Sequence, residues 1–320
     1  MFATNKVYNN IKIKKKFIKL LKSINHLVKK SLRLMDNIIS LIQFWKIKAY
    51  WYEEKKIKNF GDMLNPFFIR EITNKKVKRI NKNYWKKHFI ICGSIIKDIN
   101  SKSVVWGAGI MTAKEVFKKP KKILAVRGPL TRKRFIELGY KCPKSYGDPA
   151  LLLPIFHKIK ENKKYKFGII PHFIDYKKIE KITETNKDIL IIDLLENVTK
   201  VIEEINQCEY IISSSLHGLI VPHAYNIPAI WVEFSNNLKG DGIKFNDYFY
   251  SVEIKPYSPI NLINYQFLNN TIIEDIFKKN GKVENIPKKE KIKEIQKNLI
   301  NSCPLKIKDR HNLIKQINEI

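Results

Sequence analysis

Short apolar runs rich in β-branched and aromatic residues alternate along the chain with segments that carry apolar residues at helical spacing. In chain order, the runs are KIKAYWY, HFIICGS, SVVWGAG, KILAVRG, KFGIIPH, ILIIDLL, YIISSS and AIWVEF. Runs of this length are typical of buried strands, and strands that alternate with helices favour parallel sheets covered by helices. The pattern therefore predicts an α/β protein.

The alternation is interrupted once, near its middle, by the lysine-rich stretch HKIKENKKYK at residues 157–166. A chain of 320 residues is long enough for two domains, at roughly 100 to 200 residues each. We therefore predict one α/β domain over residues 46–156 and a second over residues 157–255. The strand signal fades after that point, which predicts a mainly helical segment over residues 256–320.

The amino-terminal segment has a different pattern. Residues 11–45 place apolar side chains at spacings of three and four, from Phe17 to Trp45, and this predicts an amphipathic helix. Lysines lie between the apolar positions, and Asp36 is the acid of the segment. This basic extension over residues 1–45 could lie on an anionic lipid surface, or it could pack against its own protein or a twin subunit.

The whole chain is strongly basic, with 61 lysine and arginine residues against 30 acids and a net charge of +31. Lysine is abundant together with isoleucine and asparagine, as in proteins encoded by A- and T-rich sequences, so much of this charge can be compositional. A basic surface attracts nucleic acid and anionic lipid alike. Arginine is more informative, because its planar fork matches carboxylate or phosphate as lysine cannot. Three of the seven arginines lie in VRGPLTRKRF.

The remaining composition indicates a compartment. The cysteines form no CxxC pair and no spacing typical of metal ligands, and they lie far apart at Cys92, Cys142, Cys208 and Cys303. No stretch reaches about 18 apolar residues, and the amino terminus lacks the compact apolar core of a signal peptide. We therefore expect reduced thiols, no metal centre and a cytoplasmic protein.

The richest candidate chemistry lies in EYIISSSLHGLIVPHAYNIPAIWVEF, residues 209–234. A strand that ends at Ser213 is followed by Ser214, Ser215 and a helix with His217 in its first turn, and a second strand comes after the helix. Open α/β folds bind ligands at this carboxyl edge of the sheet, and helix starts bind anions. Two interpretations are open: the serines cap the helix beside an incidental histidine, or the turn is a binding site.

Two further turns place polar residues near predicted strands. NFGDMLNPF opens a helix, and Asn59 or Asp62 could cap that helix or bind sugar hydroxyls, while Gly61 permits the tight turn. YGDPALLLP carries Asp148 in a Gly-Asp-Pro turn. Each turn can also be purely structural.

Taken in order, six segments resemble the polysaccharide pyruvyl transferase family, particularly its bacterial exopolysaccharide branch. They are NFGDMLNPF, VWGAGI, AVRGPLTRKRFIELG, YGDPALLLP, IISSSLHGLIVPHAYNIPAIWVE and GDGIKFNDYF, and they cover about residues 46–250. The resemblance implies two Rossmann-like domains that face each other as in GT-B glycosyltransferases, with the acceptor on the N-terminal and the donor on the C-terminal domain. It also implies transfer of a pyruvyl group from phosphoenolpyruvate onto two hydroxyls of a sugar, which yields a cyclic ketal.

The resemblance also implies roles for matching residues. His217 falls on the histidine at the donor site, and Arg127 falls where the family holds the donor's phosphate or carboxylate. Many relatives have arginine at the position of Ser215, and Lys244 is our candidate replacement. We expect His217 and Asp62 to be catalytic, further donor contacts from Ser213, Ser214, Ser215 and Gly218, and acceptor contacts from Asn59, Gly61, Asn65 and Asp148.

We therefore expect a phosphoenolpyruvate-dependent transferase that needs no cofactor and acts on a lipid-linked or nucleotide-linked precursor of a cell-surface glycan. The expected location is the inner face of the membrane, reached through the amino-terminal helix. Two other functions stay open at this level. A GT-B glycosyltransferase that uses a nucleotide sugar would share the architecture. A non-catalytic basic protein that binds nucleic acid or membrane would share the charge, although no nucleic-acid-binding motif is visible.

Overall fold

The computed structural model describes residues 24, 27, 28, 31, 46–53, 57–160, 162–183, 188–280 and 286–319. Residues 47–320 form one compact unit. Of the predicted amphipathic helix, the structure describes four positions, all of them helical, and three of these are the exposed apolar residues Ile24, Leu27 and Val28. The rest of that prediction lies outside the described residues.

The first half of the unit contains a five-stranded parallel sheet in the order β2-β1-β3-β4-β5. Its strands are β1 (Ile47–Ala49), β2 (Val77–Arg79), β3 (His88–Ile90), β4 (Ser103–Trp106) and β5 (Lys122–Ala125). The helices of this half are α1 (Phe60–Thr73), α2 (Pro129–Glu137) and α3 (Leu153–Phe156), with 3₁₀ turns at Ile96–Asp98 and Pro149–Leu152. In register, Ile90 of β3 lies opposite Val105 of β4, and both are fully buried.

The second half contains another five-stranded parallel sheet, in the order β10-β9-β8-β6-β7. Its strands are β6 (Tyr165–Ile170), β7 (Ile189–Ile191), β8 (Cys208–Ser213), β9 (Ala229–Glu233) and β10 (Ile260–Asn261). Helices α4 (Tyr176–Ile182), α5 (Val198–Asn206), α6 (His217–Ala224) and α7 (Ile243–Ser251) connect or follow these strands. The α/β prediction with parallel sheets is therefore confirmed, and the lysine-rich stretch leads from the first sheet to the second.

The carboxyl-terminal segment is mainly helical, as predicted, with α8 (Asn270–Lys279), α9 (Lys289–Ser302) and α10 (Arg310–Glu319). It also contains β10, which the sequence did not predict because two residues are too few for a periodic pattern. Helix α9 packs against the first half: the indole Nε1 of Trp106 donates to the carbonyl of Leu299 at 3.1 Å. The amide of Gln296 likewise donates to the carbonyl of Leu151 at 2.7 Å.

One hydrophobic cluster joins the two halves. Leu64 of α1 and Val201 of α5 belong to it, and both side chains are fully buried. The backbone also crosses, because Phe60 N donates to the carbonyl of Leu194 at 2.8 Å. Burying one such side chain stabilises the fold by about 1.5–3 kcal/mol. This contact brings the start of α1 to the carboxyl edge of the second sheet. The domain boundaries and the GT-B-like pairing stay predictions.

Candidate active site

Three buried side chains from distant parts of the sequence meet where the two halves touch. Cys92 follows β3, Asp148 precedes the Pro149–Leu152 turn, and His217 begins α6. The Cys92 thiol donates to Asp148 Oδ1 at 2.8 Å. His217 Nε2 lies 3.6 Å from Asp148 Oδ2 and 3.6 Å from Cys92 Sγ. We call these three residues the His217 cluster.

The charges of the cluster follow from its burial. Burial raises the pKa of the Cys92 thiol well above its ordinary value, and the Asp148 carboxylate raises it further, so the thiol keeps its proton. Burial alone would also raise the pKa of Asp148, but the neighbouring imidazole of His217 and the donors from Cys92 and Ala150 outweigh it and lower that pKa. Asp148 is therefore a carboxylate, and its Oδ2 faces Nε2 of His217.

Neighbouring groups hold each member of the cluster in place. The side-chain amide of Asn65 accepts from Cys92 N at 3.0 Å and donates to the Cys92 carbonyl at 3.1 Å. Asp148 Oδ1 accepts from Ala150 N at 2.9 Å and so caps the 3₁₀ turn. A Cβ at Gly61 would lie 2.3 Å from Nδ1 of His217, so only glycine allows this close approach. Asn65 is fully buried, and its amide holds the main chain at Cys92. Its predicted acceptor contact stays a prediction.

Asp62 lies beside this cluster in the first turn of α1. Burial raises the pKa of Asp62 to about 6, against the opposing effects of the Asn59 amide and of His217. The Asn59 amide donates to Asp62 Oδ2 at 3.3 Å. A carboxyl group that titrates this close to neutrality can give or take a proton, and the structure thus brings together the two predicted catalytic residues, Asp62 and His217.

The three serines lie at the carboxyl edge of the second sheet, but they do not cap α6, whose start has no side-chain cap. Ser213 Oγ donates to the carbonyl of Ile170 at 2.8 Å and accepts from Ser215 N at 2.9 Å. The capping interpretation is therefore wrong, because the Ser213 hydroxyl bonds to the end of β6 and within its own turn, and the Ser214 hydroxyl accepts from His172 N. Gly218 allows this packing, since a Cβ there would lie 2.1 Å from Ser213 Oγ.

Arg127 lies at the end of β5 and is fully buried. Its Nε donates to Asp247 Oδ2 at 3.0 Å, and its terminal nitrogens donate to Ser94 Oγ at 2.7 Å and to the Ile110 carbonyl at 2.6 Å. Asp247 also accepts from Thr131 N at 2.9 Å. The guanidinium is thus engaged inside the protein and ties β5 to α7. Direct contact between Arg127 and a donor stays a prediction, and this geometry favours a positioning role.

Lys244, in the first turn of α7, has no carboxylate partner among the residues that the structure describes. Burial, and then the charge of Arg127, lower the pKa of Lys244 from 10.5 to about 8. An ammonium group that is partly desolvated next to a second cation is unfavourable alone. A bound anion would remove that penalty, so the surroundings of Lys244 are suited to a phosphate or carboxylate.

His172, which sequence reasoning missed, lies next to this lysine. It follows β6, and its backbone N donates to Ser214 Oγ at 2.9 Å. Burial, and then the charge of Lys244, lower the pKa of His172 to about 4, so its ring is neutral at physiological pH. The position two residues after an apolar strand was a usable signal. The neighbours of His172 could not be predicted from the sequence, because they depend on β6 lying beside β8.

The His217 cluster could also hold a metal ion. One donor atom from each of Cys92, Asp148 and His217 lies within 4.8 Å of the others, and thiolate, carboxylate and imidazole are ligands of zinc. The prediction of no metal centre rested on spacing along the sequence, and that spacing does not reveal ligands brought together by the fold.

Comparison with known proteins assigns the chain to a family. A family model described as polysaccharide pyruvyl transferase matches residues 20–236. The chain belongs to the polysaccharide pyruvyl transferase family. It is 33% identical over 204 residues to an uncharacterized protein of Acanthamoeba polyphaga mimivirus, and the alignment covers 59% of this chain and 69% of the relative. No solved structure matches.

In this polysaccharide pyruvyl transferase, the matched range contains the whole His217 cluster and His172, whereas Lys244 lies beyond it. The family prediction is confirmed, and the family is one of transferases acting in polysaccharide biosynthesis. Among the helices that the structure describes, none is long and apolar enough to cross a membrane.

Proposed function

We propose that this polysaccharide pyruvyl transferase moves the pyruvyl group of phosphoenolpyruvate onto two hydroxyls of a sugar in a cell-surface glycan precursor. The observation that carries the donor assignment is Lys244, a partly desolvated cation without a carboxylate partner among the described residues. Phosphoenolpyruvate brings a phosphate and a carboxylate, the two groups that such a cation binds.

The reaction needs one proton at carbon and two carbon–oxygen bonds. The methylene carbon of phosphoenolpyruvate gains a proton and becomes a methyl group, while C2 forms bonds to both sugar oxygens and loses phosphate. The two sugar hydroxyls lose one proton each. One proton replaces the proton delivered to the methylene carbon, and the other leaves with phosphate. A residue must therefore deliver a proton and another must accept one.

His217 and Asp62 are suited to these two proton transfers. Nε2 of His217 lies 3.6 Å from the Asp148 carboxylate, and an imidazole can deliver or accept a proton near neutral pH. Asp62, with its pKa near 6, is ionised in most molecules at neutral pH and can accept a hydroxyl proton. Lys244, the neutral ring of His172 and Ser214 border the position proposed for the donor anion. The acceptor contacts proposed are Asn59, Gly61, Asn65 and Asp148.

The test is incubation of the purified chain with phosphoenolpyruvate and a panel of galactosyl, glucosyl and mannosyl acceptors, both free and lipid-linked. We expect phosphate release that depends on the acceptor and a product heavier by a carboxyethylidene group. A reaction without acceptor is the control. Phosphate release without a modified sugar, or neither signal across the panel, would contradict the proposal.

We also propose that the amino-terminal segment attaches the protein to the inner face of the membrane. Supporting this, Ile24, Leu27 and Val28 are helical and 48%, 61% and 49% exposed, at the spacing of one helix face. A chain lacking residues 1–45 should lose binding to anionic vesicles and keep turnover of a soluble acceptor. Unchanged vesicle binding would refute this attachment.

A further inference from the structure

We propose that a thiophilic divalent cation, with Zn²⁺ as the first choice, binds at Cys92, Asp148 and His217 and reversibly inhibits the enzyme. Bound there, the cation would occupy Nε2 of His217 and remove it from proton transfer. The binding site stands on its own geometry, and only the inhibition rests on the proposed function.

The separations within the cluster resemble those around a tetrahedral ion. Zinc lies about 2.0–2.3 Å from nitrogen, oxygen and sulfur ligands, which puts neighbouring ligand atoms roughly 3.3–3.6 Å apart. Nε2 of His217 lies 3.6 Å from Asp148 Oδ2 and 3.6 Å from Cys92 Sγ. The thiol and carboxylate are closer, at 2.8 Å, because a proton joins them. On binding, the thiol releases that proton to solvent, the sulfur binds the metal, and the two atoms move apart.

A second observation points to a cation. Asp148 Oδ2 is buried and accepts no hydrogen bond of ordinary length, since Nε2 of His217 lies 3.6 Å away, although a buried carboxylate oxygen normally has a full partner. This is the oxygen that faces His217. The Asp148 side chain is fully buried. A metal ion between this oxygen and Nε2 would supply the missing partner.

The ligands are also positioned in advance. The main chain at Cys92 is held on both sides by Asn65, Asp148 is held by Ala150 N, and the His217 ring packs against Gly61 on its Nδ1 side. A rigid arrangement lowers the entropy cost of binding. Three protein ligands leave a fourth position to water, as in open rather than closed zinc sites. A chelator in excess should therefore withdraw the ion and reverse the inhibition.

Cobalt spectroscopy tests the site without any transferase assay. We would titrate Co²⁺ into the purified full chain after chelator treatment and follow the thiolate-to-cobalt absorption. One Co²⁺ per chain, displaced by Zn²⁺, is expected for the wild type. Cys92→Ser and Asp148→Asn should lose the signal, and Cys142→Ser, which changes a buried cysteine elsewhere, should keep it. No thiolate band in the wild type, or its loss in Cys142→Ser alone, overturns the site even if a Cys92 variant does not fold.

Inhibition is tested separately with the active enzyme. Zn²⁺ should slow turnover at least tenfold, Mg²⁺ should not, and a chelator should restore the rate. Relative to its own metal-free rate, Cys92→Ser should need at least tenfold more Zn²⁺ for the same loss. A wild-type cobalt signal with no loss of turnover, or with faster turnover, overturns the inhibition and leaves the site. If no acceptor supports turnover, the proposed function fails while the cobalt spectrum still decides the site.

Discussion

Replacing Lys244 with methionine should stabilise the free protein and weaken its binding of phosphoenolpyruvate. Methionine has a similar length and no charge, so it can keep the contact that Lys244 makes beside the Phe245 ring, whose centroid lies 5.2 Å from Nζ. The two effects have one cause. A cation without a counter-charge costs folding free energy and provides affinity for an anion.

The size of the stability gain follows from the lowered pKa. Burial and the charge of Arg127 together move the pKa of Lys244 from 10.5 to about 8, and each pKa unit corresponds to about 1.4 kcal/mol. The charged form is thus disfavoured in the fold by up to about 3 kcal/mol, and relaxation around a partly exposed side chain reduces this to roughly 1–3 kcal/mol. Since the folded pKa is the lower one, this cost is fully present below pH 8 and disappears as pH rises towards 10.5.

The affinity loss is of similar size. A hydrogen bond to a charged group is worth about 1.5–3 kcal/mol, so Lys244→Met should raise the dissociation constant for phosphoenolpyruvate roughly 10- to 150-fold. In the wild type, the affinity for phosphoenolpyruvate should also fall as pH rises above 8, because the neutral amine of Lys244 no longer attracts the anion. The variant should show no such fall.

Urea denaturation at pH 7 and at pH 10 measures the first effect, and calorimetric titration of phosphoenolpyruvate across the same range measures the second. Lys255→Met is the matched control, because that lysine is exposed and should change neither quantity. A Lys244→Met protein that is less stable than the wild type and binds phosphoenolpyruvate equally well would refute the reasoning.

Three further substitutions separate chemistry from packing. His217→Asn should lower kcat by about 10²- to 10⁴-fold with near-normal thermal stability; an unchanged kcat removes the histidine from the mechanism. Gly61→Ala should lower kcat with little change in urea stability. Displacing the His217 ring costs about 1–3 kcal/mol, while alanine gains about 1 kcal/mol over glycine in a helix. A wild-type kcat would show that the position of the ring does not matter. Arg127→Lys should destabilise the fold by about 1–3 kcal/mol, since lysine keeps the charge beside Asp247 but cannot reach all three acceptors of the guanidinium, such as the Ser94 hydroxyl; a stable variant with only a raised KM would instead favour direct donor binding.

The sequence by itself determined the local elements. The apolar runs predicted strands because a strand buried on both faces needs consecutive apolar residues, and Ile211 and Ile212 of β8 are fully buried. The helix opened by NFGDMLNPF was readable for a similarly local reason, and α1 begins at Phe60. The resemblance in six segments also sufficed to predict the family, which the comparison confirmed.

Only the tertiary structure decided which of those residues form the site. Cys92 lies 56 positions from Asp148 and 125 positions from His217, and their meeting depends on α1 packing against the second half. Arg127 had the composition of an anion site, yet the fold places it in a buried ion pair with Asp247, 120 positions away. Periodicity encodes which face of an element is buried but not which element covers it. That choice is made by packing the whole unit, and it turned Arg127 inward to Asp247 and placed Lys244 where burial and the charge of Arg127 lower its pKa.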